Sequence, residues 1–146
     1  MSESKKLIVV LGAHRSGTSL SAAAIVSLGA DACLGEYYAN EENSKGFFEH
    51  PDIVDFNDRL LGYLGGSWDN PLFDGAAAIA EHDVDAWRQE AVSLVAQLFT
   101  AGPVAVLKDP RICQLLDFWV PVFEQAGYHP ENVFYLHTLR DPVEVA

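Results

Sequence analysis

Leu7-Ile8-Val9-Val10-Leu11-Gly12-Ala13-His14-Arg15-Ser16-Gly17-Thr18-Ser19 is the stretch on which the fold turns. Residues 7–11 are an unbroken apolar run and read as a core strand. Two glycines bound the loop that follows. From Thr18, small residues continue at helical spacing to Leu28. Strand, glycine-bounded loop and helix in this order aim successive backbone N–H groups and an open helix N-terminus at one spot. That arrangement suits an anion such as phosphate. Gly12 and Gly17 have the spacing G-x-x-x-x-G of a phosphate-cradling loop. Loops of this spacing that bind nucleoside triphosphates continue with Lys and then Ser or Thr for magnesium. Here Thr18 follows Gly17, and the positive charge lies inside the loop, at Arg15.

At 146 residues, 49% of them apolar, the chain has the size of one domain or part of one and enough apolar material for a core. No apolar run approaches the ~20 residues that cross a bilayer. The short run after the N-terminus ends in the glycine loop, so it is not read as a signal peptide. Cys33 and Cys113 lack metal-ligand spacing and fit reduced thiols in a cytoplasmic protein. The histidines are scattered, and no metal site is expected. A formal charge of −12 argues against nucleic acid as a partner. A small anion remains possible where the few cations gather. Arg15, Lys108 and Arg140 all fall at or just past the ends of expected strands, with Arg111 close behind Lys108.

Along the chain, residues 36–45 read as a polar loop. Pro51 suits the first turn of a helix that carries Ile53, Phe56, Leu60 and Leu64 on one face and stops at Gly65-Gly66. A second helix presents Val84, Trp87, Ala91, Leu94, Val95 and Leu98, with Asp83 as its expected N-cap. Residues 104–107 form a strand leading into Lys108-Asp109-Pro110-Arg111. Residues 112–126 are helical by period, with Pro121 expected to kink or divide them. Residues 132–139 form a third strand ending in Arg140-Asp141-Pro142. Strands alternating with helices predict an α/β fold, a three-layer sandwich with a mainly parallel sheet. All strand C-termini then share one rim, where ligands bind in such sheets. The last residues read as the start of a helix, and the expectation is that residues 1–146 are the N-terminal part of one larger domain.

The 12–19 loop, Lys108-Asp109-Pro110 and Leu139-Arg140-Asp141-Pro142 together resemble the P-loop sulfotransferases, which use 3′-phosphoadenosine 5′-phosphosulfate. The likeness is greatest to tyrosylprotein sulfotransferases and bacterial relatives, and residues 43–49 are similar to a segment in the latter. The resemblance implies that Gly12, Ala13, His14, Arg15, Ser16, Gly17, Thr18 and Ser19 bind the 5′-phosphosulfate. It implies that Arg15 contacts the bridging oxygen and sulfuryl group, that Lys108 stabilises the transferring group, and that Arg140 binds the 3′-phosphate. The family's serine partner for that phosphate would fall just beyond Ala146. Pro110 stands where some members carry a histidine base, so a glutamate is expected instead, Glu49 or Glu36. Glu49 equally suits an acid placed near a helix N-terminus.

Sulfuryl transfer passes through a loose state whose charge arginine and lysine can stabilise without a metal, and a carboxylate base assists the acceptor hydroxyl. The acceptor is a small molecule, a glycan or a peptide. Two other readings stay open: a kinase-like or NTPase-like nucleotide-binding protein with Asp109 as its magnesium acid, and an inactive nucleotide-binding fragment. Arg111 suits either the 3′-phosphate region or a pairing with an acid.

Overall fold

A computed structural model describes residues 4–13, 16–32, 49–99, 102–141 and 143. Three parallel strands, β1 (Lys6–Leu11), β2 (Val104–Lys108) and β3 (Val133–His137), form an open sheet in the order β2-β1-β3. The apolar run that opens the sequence is therefore the central strand. Asp31 adds a one-residue parallel bridge on the outer side of β2: its N–H donates to the carbonyl of Val104 at 2.9 Å and its carbonyl accepts from Val106 at 2.8 Å. The five α-helices among the described residues are α1 (Thr18–Ser27), α2 (Pro51–Tyr63), α3 (Gly75–Glu81), α4 (Asp85–Leu98) and α5 (Leu116–Gln125).

Strand alternation sorts these helices into two layers. Ile8, Val10 and Val106 pack with Ala22 and Ile25 of α1 on one face of the sheet. Leu7, Val9, Leu11, Ala105 and Leu107 point the other way, into a larger core built with α2, α4 and α5. An aromatic cluster fills that core. Phe56 is fully buried, with its ring centroid 5.7 Å from that of Trp87 and 5.6 Å from that of Trp119, both edge-on. β3 differs from its neighbours. Phe134, Tyr135 and Leu136 remain more than two-fifths exposed on the outer strand.

Three local expectations need correction. Pro121 lies inside α5 without dividing it. The break in residues 112–126 comes earlier, where a 3-10 turn over Pro110–Cys113 precedes the helix. Proline removes one N–H from the helix, but Phe118, Trp119, Val122 and Phe123 around it are all buried, and their packing holds the helix together. At α4 the N-cap is Val84 rather than Asp83. The Asp83 carboxylate still serves the first turn, accepting the N–H of Asp85 at 3.1 Å. The third strand, expected over 132–139, runs only over Val133–His137, after a 3-10 turn at Pro130–Asn132.

The entry into α2 is capped by a histidine. Pro51 occupies the first turn, as expected, and the ring Nδ1 of buried His50 accepts the N–H of Asp52 at 3.1 Å. That bond needs a neutral imidazole nitrogen. Burial lowers the pKa of His50 below its ordinary value of 6.5, against the opposing charge of Asp52. A group whose folded pKa is depressed contributes stability above its unfolded pKa and loses it as pH falls through the folded one. Chemical denaturation between pH 8 and pH 5 should therefore show wild-type stability declining below about 6.5, and His50→Asn should flatten that decline by about 1 kcal/mol, the usual worth of an N-cap.

Candidate functional site

The sheet brings the three sequence motifs to one rim. Parallel pairing sets Val10 beside Lys108 and Leu11 beside His137, so the glycine loop leaves β1 between the ends of its two neighbours. Thr138 continues the ladder by donating its N–H to the carbonyl of Leu11 at 2.8 Å. Arg140 follows on an exposed segment.

Gly12 is held from both sides. Its N–H donates to Cys113 Sγ at 3.1 Å, which ties it to the turn after β2. A Cβ at this position would overlap Thr138 Oγ1, and would lie 2.6 Å from Ser16 Oγ and 2.9 Å from Thr18 Cγ2. The space that any other residue would fill is taken by three hydroxyl-bearing side chains. Ser16 Oγ donates to the carbonyl of Ala13 at 2.7 Å and shares a hydrogen bond with Thr138 Oγ1 at 2.9 Å, closing the loop onto β3. Gly17, with φ of 92°, turns the chain into α1 and brings no side chain to cap the first-turn N–H groups. Thr18 is buried beneath the turn, and Ser19 is half-buried. His14, Arg15 and Glu36 lie outside the described residues.

A set of buried charges occupies the end of β2. Lys108 Nζ donates to Glu49 Oε1 at 2.6 Å, with the lysine side chain 3% exposed and the glutamate 18%. Lys108 does not pair with its sequence neighbour Asp109. Asp109 is fully buried and continues the inward alternation of Ala105 and Leu107. Its Oδ2 accepts from Asn57 Nδ2 at 2.9 Å, and its Oδ1 accepts from the N–H of Arg111 at 3.1 Å and from Arg111 Nη1 at 3.0 Å. Asn57 Oδ1 in turn accepts Trp119 Nε1–H at 2.9 Å. Arg111 also donates Nε–H to Asp58 at 2.6 Å and lies 3.7 Å from Glu49 Oε2. Burial acts most strongly on Arg111 and would lower its pKa, but Asp109 and Asp58 together raise it above its ordinary value. The guanidinium is thus permanently charged. Of the two expectations for Arg111, the pairing with acids is the one present.

Cys113 is a structural thiol at this rim. Burial of its sulfur pushes the thiol pKa up from 9.0, the N–H of Gly12 partly opposes this, and the charge of Asp109 adds to the rise. The protonated form can return a hydrogen bond to the carbonyl of Gly12, at 3.5 Å. Beside the loop, Ala13, Trp68, Pro71, Pro110 and His137 line a cleft of about 510 Å³. No group of His, Cys, Asp or Glu suited to hold a metal ion occurs among the described residues, and no helix among them is long and apolar enough to cross a membrane.

Asn57, Asp58 and Trp119 are parts of this site that motif reading misses. Asn57 carried a signal: it is a polar residue on the face of α2 defined by Ile53, Phe56, Leu60 and Leu61, all buried. Truncating it would leave a buried carboxylate oxygen and an indole N–H without their partner, each costing about 1–3 kcal/mol. Asn57→Ala should lower the unfolding free energy by about 3 kcal/mol in urea titrations. Arg59→Ala, which removes two half-exposed ion pairs two residues along the chain, to Asp55 and Glu90, should cost less, about 1 kcal/mol.

Compared with protein-family models, with curated proteins and with solved structures, the chain matches none.

Proposed function

We propose that this chain supplies the nucleotide-binding rim of an enzyme that moves a sulfuryl group from 3′-phosphoadenosine 5′-phosphosulfate to a hydroxyl or amine acceptor. The observation that carries the reading is the register of Val10 with Lys108. It brings a buried ammonium, bonded to the carboxylate of Glu49, alongside a glycine loop whose spacing suits a phosphate. The nucleotide supplies the activated sulfuryl group. The chain's own residues bind and orient it. The 12–19 loop, Arg15 included, would hold the 5′ end, and Arg140 would hold the 3′-phosphate. The cradle at Gly12 fits such a ligand chemically, because its backbone admits no Cβ and it leads, through Gly17, to a helix N-terminus that no side chain caps.

Lys108 provides a cation where negative charge develops, in a site shielded from water. Glu49 is the described carboxylate nearest to Lys108, and its oxygens would take the proton of the acceptor hydroxyl. The open cleft beside Ala13, walled by Trp68, Pro71 and Pro110, gives an acceptor a route to the loop.

The kinase-like alternative needs Asp109 as a metal-binding acid. Both of its oxygens are already committed, to Asn57 and to Arg111, in a fully buried position. Thr18 in place of the loop lysine points the same way.

Calorimetric titration separates the readings. The chain should bind adenosine 3′,5′-bisphosphate without metal and in preference to adenosine 5′-phosphate. Arg140→Ala should erase most of that preference, about tenfold or more, since a charge-assisted hydrogen bond contributes about 1.5–3 kcal/mol. Because Arg140 is exposed, the fold should be unaffected. Tight binding of ATP that depends on magnesium, with no response to the bisphosphate, would sink the proposal.

A further inference from the structure

We infer that Lys108 and Arg111 form a single anion subsite that the chain's own Glu49 carboxylate fills, and that a singly charged tetrahedral oxyanion, such as a sulfate monoester, displaces it. This rests on the sulfuryl-transfer reading for the identity of the physiological ligand. The subsite itself rests on geometry. Glu49 spans the two cations, with Oε1 2.6 Å from Lys108 Nζ and Oε2 3.7 Å from Arg111 Nη1.

The three groups are not equally fixed. Lys108 ends a central-sheet strand and is 3% exposed. Arg111 is fastened by hydrogen bonds from Nε to Asp58 and from Nη1 to Asp109. Its approach to Glu49, at 3.7 Å, is too long to be a hydrogen bond. Glu49 is the most accessible of the three, at 18%, and it precedes the N-cap of α2 rather than lying within the helix. Rotation of its side chain therefore vacates the subsite without unwinding α2. While Glu49 bridges the cations, its carboxylate is committed to them. An oxyanion arriving between Lys108 and Arg111 takes over that role and releases Glu49 to accept a proton. Ligand binding and arming of the base become one event.

Charge balance selects the ligand. The cluster holds two cations, Lys108 and Arg111, and three carboxylates, Glu49, Asp58 and Asp109, a net of one negative charge. Exchanging the Glu49 carboxylate for a sulfate monoester leaves this balance unchanged. A phosphate monoester, close to a dianion at neutral pH, adds a further negative charge to a largely buried site. The subsite thus discriminates between two groups of nearly the same shape by charge alone.

The test uses methyl sulfate and methyl phosphate as probes at constant ionic strength, with binding followed by the backbone amide and side-chain Nε–H NMR signals of Arg111, which every variant retains. Wild-type protein should bind methyl sulfate about tenfold more tightly than methyl phosphate at pH 7.5. Glu49→Gln should tighten methyl sulfate binding a further tenfold or so, and this gain should vanish when Lys108→Met is added, as a double-mutant cycle requires for direct coupling. Equal or weaker methyl sulfate binding in Glu49→Gln would overturn the inference, as would a gain that survives Lys108→Met. If Glu49→Gln fails to fold, Glu49→Asp serves instead. Its shorter carboxylate should give a smaller gain, about threefold, and no gain overturns the inference equally. Adenosine 3′,5′-bisphosphate titrated into the same proteins keeps the two questions apart. Failure of the nucleotide to bind counts against sulfuryl transfer, whereas the monoester results alone decide the subsite.

Discussion

A lysine ammonium held out of water at the end of β2 is the constraint around which this rim is built. Removing such a charge from solvent costs several kcal/mol unless an opposite charge meets it at close range. Here the answer comes from Glu49, 59 residues earlier in the chain and 2.6 Å away. Glu49 can reach Lys108 only because His50 and Pro51 start α2 immediately after it and Ile53, Phe56 and Leu60 anchor that helix in the core. The next residue along, Asp109, poses the same problem with the opposite sign. Arg111 and Asn57 answer it, and Asn57 is itself oriented by the indole of Trp119. Sheet, α2 and α5 are thus locked in one relative position by polar contacts that tolerate little displacement, on top of apolar packing that would tolerate more.

The loop after β1 sits in this frame under two different restraints. On the β2 side, Cys113 accepts the N–H of Gly12 and can return a bond to its carbonyl. On the β3 side, Ser16 and Thr138 share a hydrogen bond, and Thr138 extends the strand ladder. Together these explain why position 12 is a glycine more directly than phosphate binding does, because a Cβ there meets side chains before any ligand arrives. Phosphate binding, as proposed, would place the same demand on Gly12 as this packing does. An argument from the glycine spacing alone cannot separate them, whereas the contacts of Ser16 and Thr138 can be removed one at a time.

What was legible in the sequence is what local chemistry determines. The apolar run at 7–11 is the central strand, Ile53, Phe56, Leu60 and Leu64 are the buried stripe of α2, and Val104 opens the strand that delivers Lys108. Parallel strand order then makes the rim a consequence of topology, so Lys108, His137 and the glycine loop meet without any motif saying so. Partner choice was not legible. Whether Lys108 bonds to its neighbour Asp109 or to distant Glu49 depends on which face each side chain leaves from, and strand alternation sends Asp109 inward. Pro121 misled for a related reason: its rule describes an isolated helix, and the aromatic packing of α5 overrides it. Residues 14, 15 and 36 fall outside the described set, so Arg15 and Glu36 stand on their sequence context.

A net charge of −12 opposes the binding of an anion. The exchange proposed for the rim would resolve this without an accumulation of cations. Lys108 and Arg111 are already neutralised by carboxylates. A ligand that fits must instead replace an internal carboxylate, charge for charge, in a site where water cannot screen a mismatch. Desolvated exchange of this kind favours specificity over affinity, since the gain from the incoming anion is offset by the loss of Glu49 from the same cations. The acidity of the surface and the selectivity of the site are then two results of one economy of charge.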